Sequence, residues 1–347
     1  MGYQHGLAAL RLEWTDTVPR TEYSVESHWE LIQAVTGIDT SAPSNRPAAQ
    51  TAFVKAWDYS FVWSTSPAYQ ISVQTDMGHA VYLADGSDFR PQARCPFKDV
   101  EEVLSFDPDA VFEHPSRAEI LQRCSSQLES QRRQFPDCVI PVGIYDTLFS
   151  GLISIFGWEM LLLAAGTDPQ RFGEVAGRYA RWIGPYFEAA ADVNAPAFMC
   201  HDDICWTSGP VLSPAWYRRY VFPHYRRLWQ PVLESGKRLL FTSDGNYTMF
   251  FDDVVAAGAH VLVMEPCCDM AQFAAKYGRT HGFFGNADTR ILLTGTRRQI
   301  RDEVERCMDI GKACPGFFLA VGNHIPSNTP VEAALHYNEC YLKLRKR

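Results

Sequence analysis

The chain has 347 residues, 46% hydrophobic and 21% charged, a balance that supports a large buried core. Its formal charge of −8, with no basic block beyond the tail Lys343-Leu344-Arg345-Lys346-Arg347, argues against nucleic acid as a partner, and the tail reads as a solvated helix end. Ten cysteines without a CxxC pair, an N-terminus (Met1-Gly2-Tyr3-Gln4-His5) without signal-peptide character, and no apolar run near the ~20 residues that span a bilayer predict a cytoplasmic protein without membrane contact.

Residues 1–50 read as a lead-in to one domain covering 1–347, with a helix over Ser24–Thr36 that Gly37 stops. Tyr59–Ser64 reads as a first buried strand. The polar, glycine-punctuated stretches Thr75–His79 and Asp85–Arg90 suggest a hairpin or a lid, with Asp76 and His79 as its functional groups. Helices are expected over Lys98–Phe106 and Ser116–Gln134. From there strands and helices alternate. Strands fall at Cys138–Ile144, Ala197–Cys200, Leu239–Ser243, His260–Met264, Gly282–Gly285 and Phe317–Val321. The helix that opens at Ser213-Pro214 runs to Glu234, and Pro223 and Pro231 predict kinks or a break in it. With an eighth strand placed between Ile71 and Leu83, the pattern predicts an α/β fold: a single (β/α)8 TIM barrel with an N-terminal extension. A doubly wound open sheet is the rival, but no GxGxxG or P-loop supports it.

The apolar strands end in polar residues. Leu239–Thr242 stops at Ser243-Asp244-Gly245-Asn246, and other strands stop at Tyr145-Asp146, His201-Asp202-Asp203, Glu265, Asn286-Ala287-Asp288 and Gly322-Asn323-His324. In a barrel such ends converge on the face that holds the chemistry. Adjacent carboxylates repel, so one of Asp202 and Asp203 is a candidate acid; Asp244 and His324 join them as catalytic candidates. Tyr145, Asp146, His201, Trp206, Asn246, Glu265, Asn286 and Asn323 are candidates for substrate binding. Asp288 is read as part of the pocket or as a helix cap. Cys267 and Cys268 read as packing residues, as do Trp158, Trp182 and Trp216.

These residues resemble the uroporphyrinogen decarboxylase superfamily, which includes the decarboxylase of haem synthesis and cobamide-dependent methyltransferases such as methylcobamide:coenzyme M methyltransferase. The resemblance covers nearly the whole chain. Its anchors are Asp202-Asp203-Ile204 with Gly209-Pro210-Val211-Leu212-Ser213-Pro214, then Ser243-Asp244-Gly245-Asn246, then Gly285-Asn286-Ala287-Asp288-Thr289 with Leu292, Leu293 and Gly295-Thr296, and Gly322-Asn323-His324-Ile325-Pro326. It implies the same barrel. Decarboxylases of the family carry a paired-arginine stretch that grips substrate carboxylates; here the matching segment is Asp16-Thr17-Val18-Pro19-Arg20-Thr21-Glu22-Tyr23, without the pair. The coenzyme M branch holds zinc with a His-x-Cys and a further Cys; the matching positions here are Thr242, Asp244 and Asn323, which offer oxygen instead of thiolate and imidazole.

Three functions follow from this resemblance. The first is methyl transfer between a small methylated substrate and a corrinoid (cobalamin) supplied by a corrinoid-binding partner protein, since the chain has no Asp-x-His-x-x-Gly motif of its own. The second is decarboxylation of a carboxylated ring. The third is ligand binding by a barrel that has lost catalysis. Catalysis is expected to run on acid–base groups. The ligand positions do not favour zinc, which would need His201, Glu265 or His324 to converge on Asp244. A homodimer is left open.

Overall fold

The computed structural model describes residues 2–23, 25–66, 81–82, 88–89 and 95–347. A parallel sheet of six strands forms most of the barrel wall. In chain order these are β1 (Val142–Ile144), β2 (Ala197–His201), β3 (Arg238–Thr242), β4 (Val261–Val263), β5 (Gly282–Ala287) and β6 (Phe317–Val321), each paired in parallel with the next. Right-handed strand–helix–strand crossovers give this order, and they wrap the helices around the outside.

Two irregular segments close the ring. Phe61 and Ser66 bridge in parallel to Val139 and Ile144, which sets the expected first strand beside β1. On the other edge Arg20 bridges in parallel to Leu319 of β6, and Tyr23 to His324. The two segments then meet. The Ser60 N–H donates to the Arg20 carbonyl at 2.9 Å, and the Thr21 hydroxyl donates to the Phe61 carbonyl at 2.7 Å. Val18–Tyr23 is thus the eighth stave. Of the strand expected between Ile71 and Leu83, all but Val81–Tyr82 lies outside the described residues, as do Asp76 and His79. Val81–Tyr82 pairs antiparallel with Asp88–Phe89, in keeping with a hairpin.

Arg20 sits in the stave fully buried. Its guanidinium pairs with Glu22, donates to Asn338, and lies over the rings of Trp57 and Tyr341 at 4.7 and 4.5 Å. Burial opposes its charge, but Glu22 and the surrounding tyrosines overrule that and hold its pKa above the ordinary value. Glu22 in turn accepts the Val321 N–H of β6 at 2.9 Å. A buried charge pair, with Glu22 bonded to both Arg20 and Val321, therefore locks the first stave to the last strand.

Alternation along the strands sorts the core into two layers. Facing inward are Phe61, Val139, Ala197, Met199, Leu240, Val261, Val263, Phe284 and Phe318, with Ala9 and Leu10 of helix Gly2–Leu10 packed among them at the N-terminal end. The outward residues, such as Phe198, Cys200, Leu239, Phe241 and Leu262, meet the helices. The helix Pro214–Glu234 is broken as its prolines predict: Pro214–Tyr220 and Phe222–Glu234 are separate, with Pro231 inside the second. Helix Phe149–Thr167 corrects one expectation. It is long and apolar enough to cross a bilayer, but 67% of its apolar window is buried in the protein, so its apolar length serves the outer core. The basic tail is also tied down, not simply solvated: Lys346 bridges to Thr17, and Arg345 pairs with Asp58 at 2.7 Å.

Candidate active site

The same alternation carries the inward columns past the sheet into the mouth of the barrel. Ala197 and Met199 are followed by His201 and Asp203; Leu240 by Thr242 and Asp244; Val261 and Val263 by Glu265. His201, Asp203 and Asp244 each present one ligand-type atom, all within 4.8 Å of one another. The His201 ring lies flat on Tyr145, centroids 4.2 Å apart and planes at 9°. Its Nε2 is 3.6 Å from Asp203 Oδ1. Asp203 is anchored from both sides. Its own N–H donates to Ser150 Oγ at 2.6 Å, and its Oδ1 accepts the Asp244 N–H at 2.7 Å.

Asp202 works elsewhere. One residue out of step with Asp203, its carboxylate faces the helix layer and is fully buried. It accepts the N–H groups of Leu148, Phe149 and Ser150 at 3.3, 3.0 and 2.6 Å and the hydroxyl of Tyr225. A carboxylate on the first turn of helix Phe149–Thr167 complements its dipole and its unpaired donors. Burial pushes the Asp202 carboxyl upward, against the pull of those donors. These bonds tie Asp202 to the helix layer and not to the mouth cluster; from that layer it holds Ser150 and, through it, Asp203. Asp202→Ala is expected to lower stability by roughly 3 kcal/mol in urea unfolding, because four donors lose one acceptor.

Glu265 is the second chemical centre of the mouth. Its Oε2 accepts the Gly245 N–H at 2.8 Å, and its Oε1 accepts from the Asn323 amide. Gly245 can present that N–H because its φ is +78° and its backbone lies against Cys205–Trp206, where a Cβ would come within 2.4 Å of the Cys205 carbonyl. Burial, and then the charge of Asp244, raises the Glu265 carboxyl to about 7. Cys267 Sγ is 3.8 Å from the same carboxylate, while Cys268 is buried with its thiol on the Gly245 carbonyl.

His324 stands at the mouth edge-on to Tyr23, with centroids 5.9 Å apart. Asp146 does not join the mouth cluster. It takes the Ser154 hydroxyl at 3.1 Å from the helix layer, and burial raises it to about 6. Asn286 is fully buried and holds the wall together: its amide donates to the carbonyls of Glu265 and Cys268 and accepts from Arg306. Asn246 shapes its own turn by accepting the Thr248 N–H at 3.1 Å. Asp288 caps the helix that follows it and pairs with Arg290. Trp206 is 44% exposed, with Trp158 at 5.4 Å beside it. Trp182 and Trp216 are buried, as expected.

Two residues of the mouth went unread in the sequence. Tyr23 stacks on Trp63 at 4.0 Å, and burial, then the charges of Tyr145 and Asp244, push its hydroxyl well above the ordinary tyrosine range. Inward alternation from Phe61 pointed to Trp63 and was available; nothing local marked Tyr23.

The three positions matched to the coenzyme M zinc set do not make a thiol-activating site. Thr242 brings a hydroxyl, and Asn323 turns its amide nitrogen onto Glu265, so Asp244 is the single anionic ligand among them. Trp206 after β2 and Met249 after β3 are large apolar side chains open to solvent, 44% and 51% exposed.

Comparison with known proteins agrees with this architecture. A family profile described as Uroporphyrinogen decarboxylase (URO-D) matches residues 69–341. The uroporphyrinogen decarboxylase of Syntrophotalea carbinolica is 32% identical over 159 residues, a match spanning 46% of this chain and 45% of that protein. The one from Geobacter sulfurreducens is 23% identical over 270 residues, covering 70% and 76%. Among solved structures, a methyltransferase from Methanosarcina mazei superposes with a TM-score of 0.64 at 17% identity over 98% of both chains, a likeness of fold. The chain belongs to the uroporphyrinogen decarboxylase family of enzymes.

Proposed function

We propose that this enzyme transfers a methyl group from a small methylated substrate to a corrinoid carried by a partner protein. The observation that carries this reading is the mouth itself: carboxylates, an imidazole and a half-buried Glu265 face the space where a substrate would sit, and no gripping arginine joins them from the first stave. Arg20, the cation nearest in sequence to the family's arginine stretch, is fully buried in an aromatic cage and paired with Glu22. A porphyrinogen bearing many carboxylates needs cations at the mouth.

The corrinoid supplies the nucleophile that accepts the methyl group. The chain's own part is to bind and to move a proton. The Trp158–Trp206 pair offers an apolar face on one side, and Asp203 and His201 orient polar atoms of the substrate. Glu265, held by Asn323 and the Gly245 N–H, delivers a proton to the heteroatom that loses its methyl group. Decarboxylation is the second reading, favoured by the names of the curated relatives.

One assay separates the two. The protein is incubated with cob(I)alamin and a panel of methyl ethers and methylamines, followed by absorbance, and separately with uroporphyrinogen. Loss of cob(I)alamin with at least one donor is the expected result, with no coproporphyrinogen formed. Formation of coproporphyrinogen would replace the methyl-transfer reading with the second.

A further inference from the structure

We infer that His201, Asp203 and Asp244 together bind one divalent metal ion of hard or borderline character. This site lies across β2 and β3 and shares only Asp244 with the positions matched to the family's zinc set.

The spacing suits a shared ion. Ligands about 2.1 Å from one metal stand roughly 3–4 Å apart. The 3.6 Å between His201 Nε2 and Asp203 Oδ1 is too long for a hydrogen bond but falls inside that window. The three donor atoms all lie within 4.8 Å of one another.

The histidine supplies an independent observation. His201 is 5% exposed, and its Nδ1 is buried without a hydrogen-bond partner among the described residues. Buried imidazoles are ordinarily held by a hydrogen bond that fixes their tautomer. Here Tyr145 holds the ring by stacking, while Nε2 faces the carboxylates. With no hydrogen bond on Nδ1 to fix the tautomer, the ring can carry its proton there and turn the Nε2 lone pair toward Asp203, as a metal ligand requires.

The supports of the site are rigid. Asp203 is fixed by Ser150 and by the Asp244 N–H, and the Ser243 hydroxyl takes the Ile204 N–H at 3.1 Å. Outer contacts of this kind hold ligands ready for a metal. One imidazole with two carboxylates selects zinc, manganese or ferrous iron over thiophilic metals. An ion held there would bind an oxygen or nitrogen atom of the substrate, in keeping with a donor other than a thiol.

The test needs no turnover, so its outcome is separate from that of the methyl-transfer assay. Protein stripped by chelator and dialysed is titrated with Zn2+ alone and with Mn2+ alone, by calorimetry and by electron paramagnetic resonance of Mn2+. The expected result is one ion per chain, with affinity weakened at least tenfold in His201→Ala and in Asp244→Asn. Folding of each variant is checked by circular dichroism. If a variant does not fold, anomalous scattering from crystals of the zinc-loaded wild type decides. Density between the three side chains supports the site. No binding, binding unchanged in folded variants, or an ion located elsewhere would overturn it.

Discussion

Glu265→Gln is expected to lower kcat for methyl transfer by at least ~100-fold with donors whose leaving group is a poor one, the usual scale for loss of a general acid. The loss should be small with donors whose leaving group is already a weak base, such as a nitrophenyl methyl ether, because these need no proton. The pH dependence has a definite sign. The acid form is the active one, so wild-type activity holds below about pH 7 and falls as pH rises through the raised Glu265 value. That break disappears in the variant. Burial is the larger cause of the shift and the Asp244 charge the second. A cation bound to Asp244 removes the second cause and moves the break to lower pH. The same shift bears on stability: the native state keeps this proton longer than the unfolded chain, so its contribution is lost as pH rises from about 4.5 to about 7. A pH–rate profile of both proteins with both donor types checks the whole argument. An unchanged break in the variant would remove Glu265 from its role.

Arg20→Met is expected to destabilise the barrel by about 3–5 kcal/mol, the scale for leaving a buried charge without its partner. Glu22 would then be buried without its cation while still bound to the Val321 N–H. Arg20→Met combined with Glu22→Gln should recover part of the loss, since a neutral amide still accepts that N–H. Urea unfolding of the single and double variants measures the coupling. Equal losses in both would mean that the cage stabilises by packing alone.

The two layers of strand residues explain what the sequence made legible. Strands that end in polar residues are readable because a buried parallel strand is apolar throughout, so the first polar inward residue marks the mouth. Asp244, Glu265 and the pair His201 and Asp203 are legible on that ground. Asp202 was misread because a run of acidic residues looks like one cluster, whereas alternation sends neighbours to opposite faces. Tyr23 and its stave were missed for a different reason. Val18–Tyr23 carries a proline, an arginine and a glutamate, which resembles a loop in isolation. Its charges become compatible with burial only by pairing with each other and with an aromatic cage assembled from residues far along the chain.

The staple between Glu22 and Val321 joins residues 299 positions apart. During synthesis the first stave leaves the ribosome long before its partner exists. At ~5–20 residues per second the wait is on the order of 15–60 s. Through that interval the growing sheet carries an open edge, a template for pairing with other chains, and the Arg20–Glu22 pair remains in water. Ring closure is therefore a terminal event of folding, and because Thr17 bridges to Lys346, both ends of the described chain take part in it. The protein's hazard is less the fragility of the finished barrel than the duration of the unfinished one.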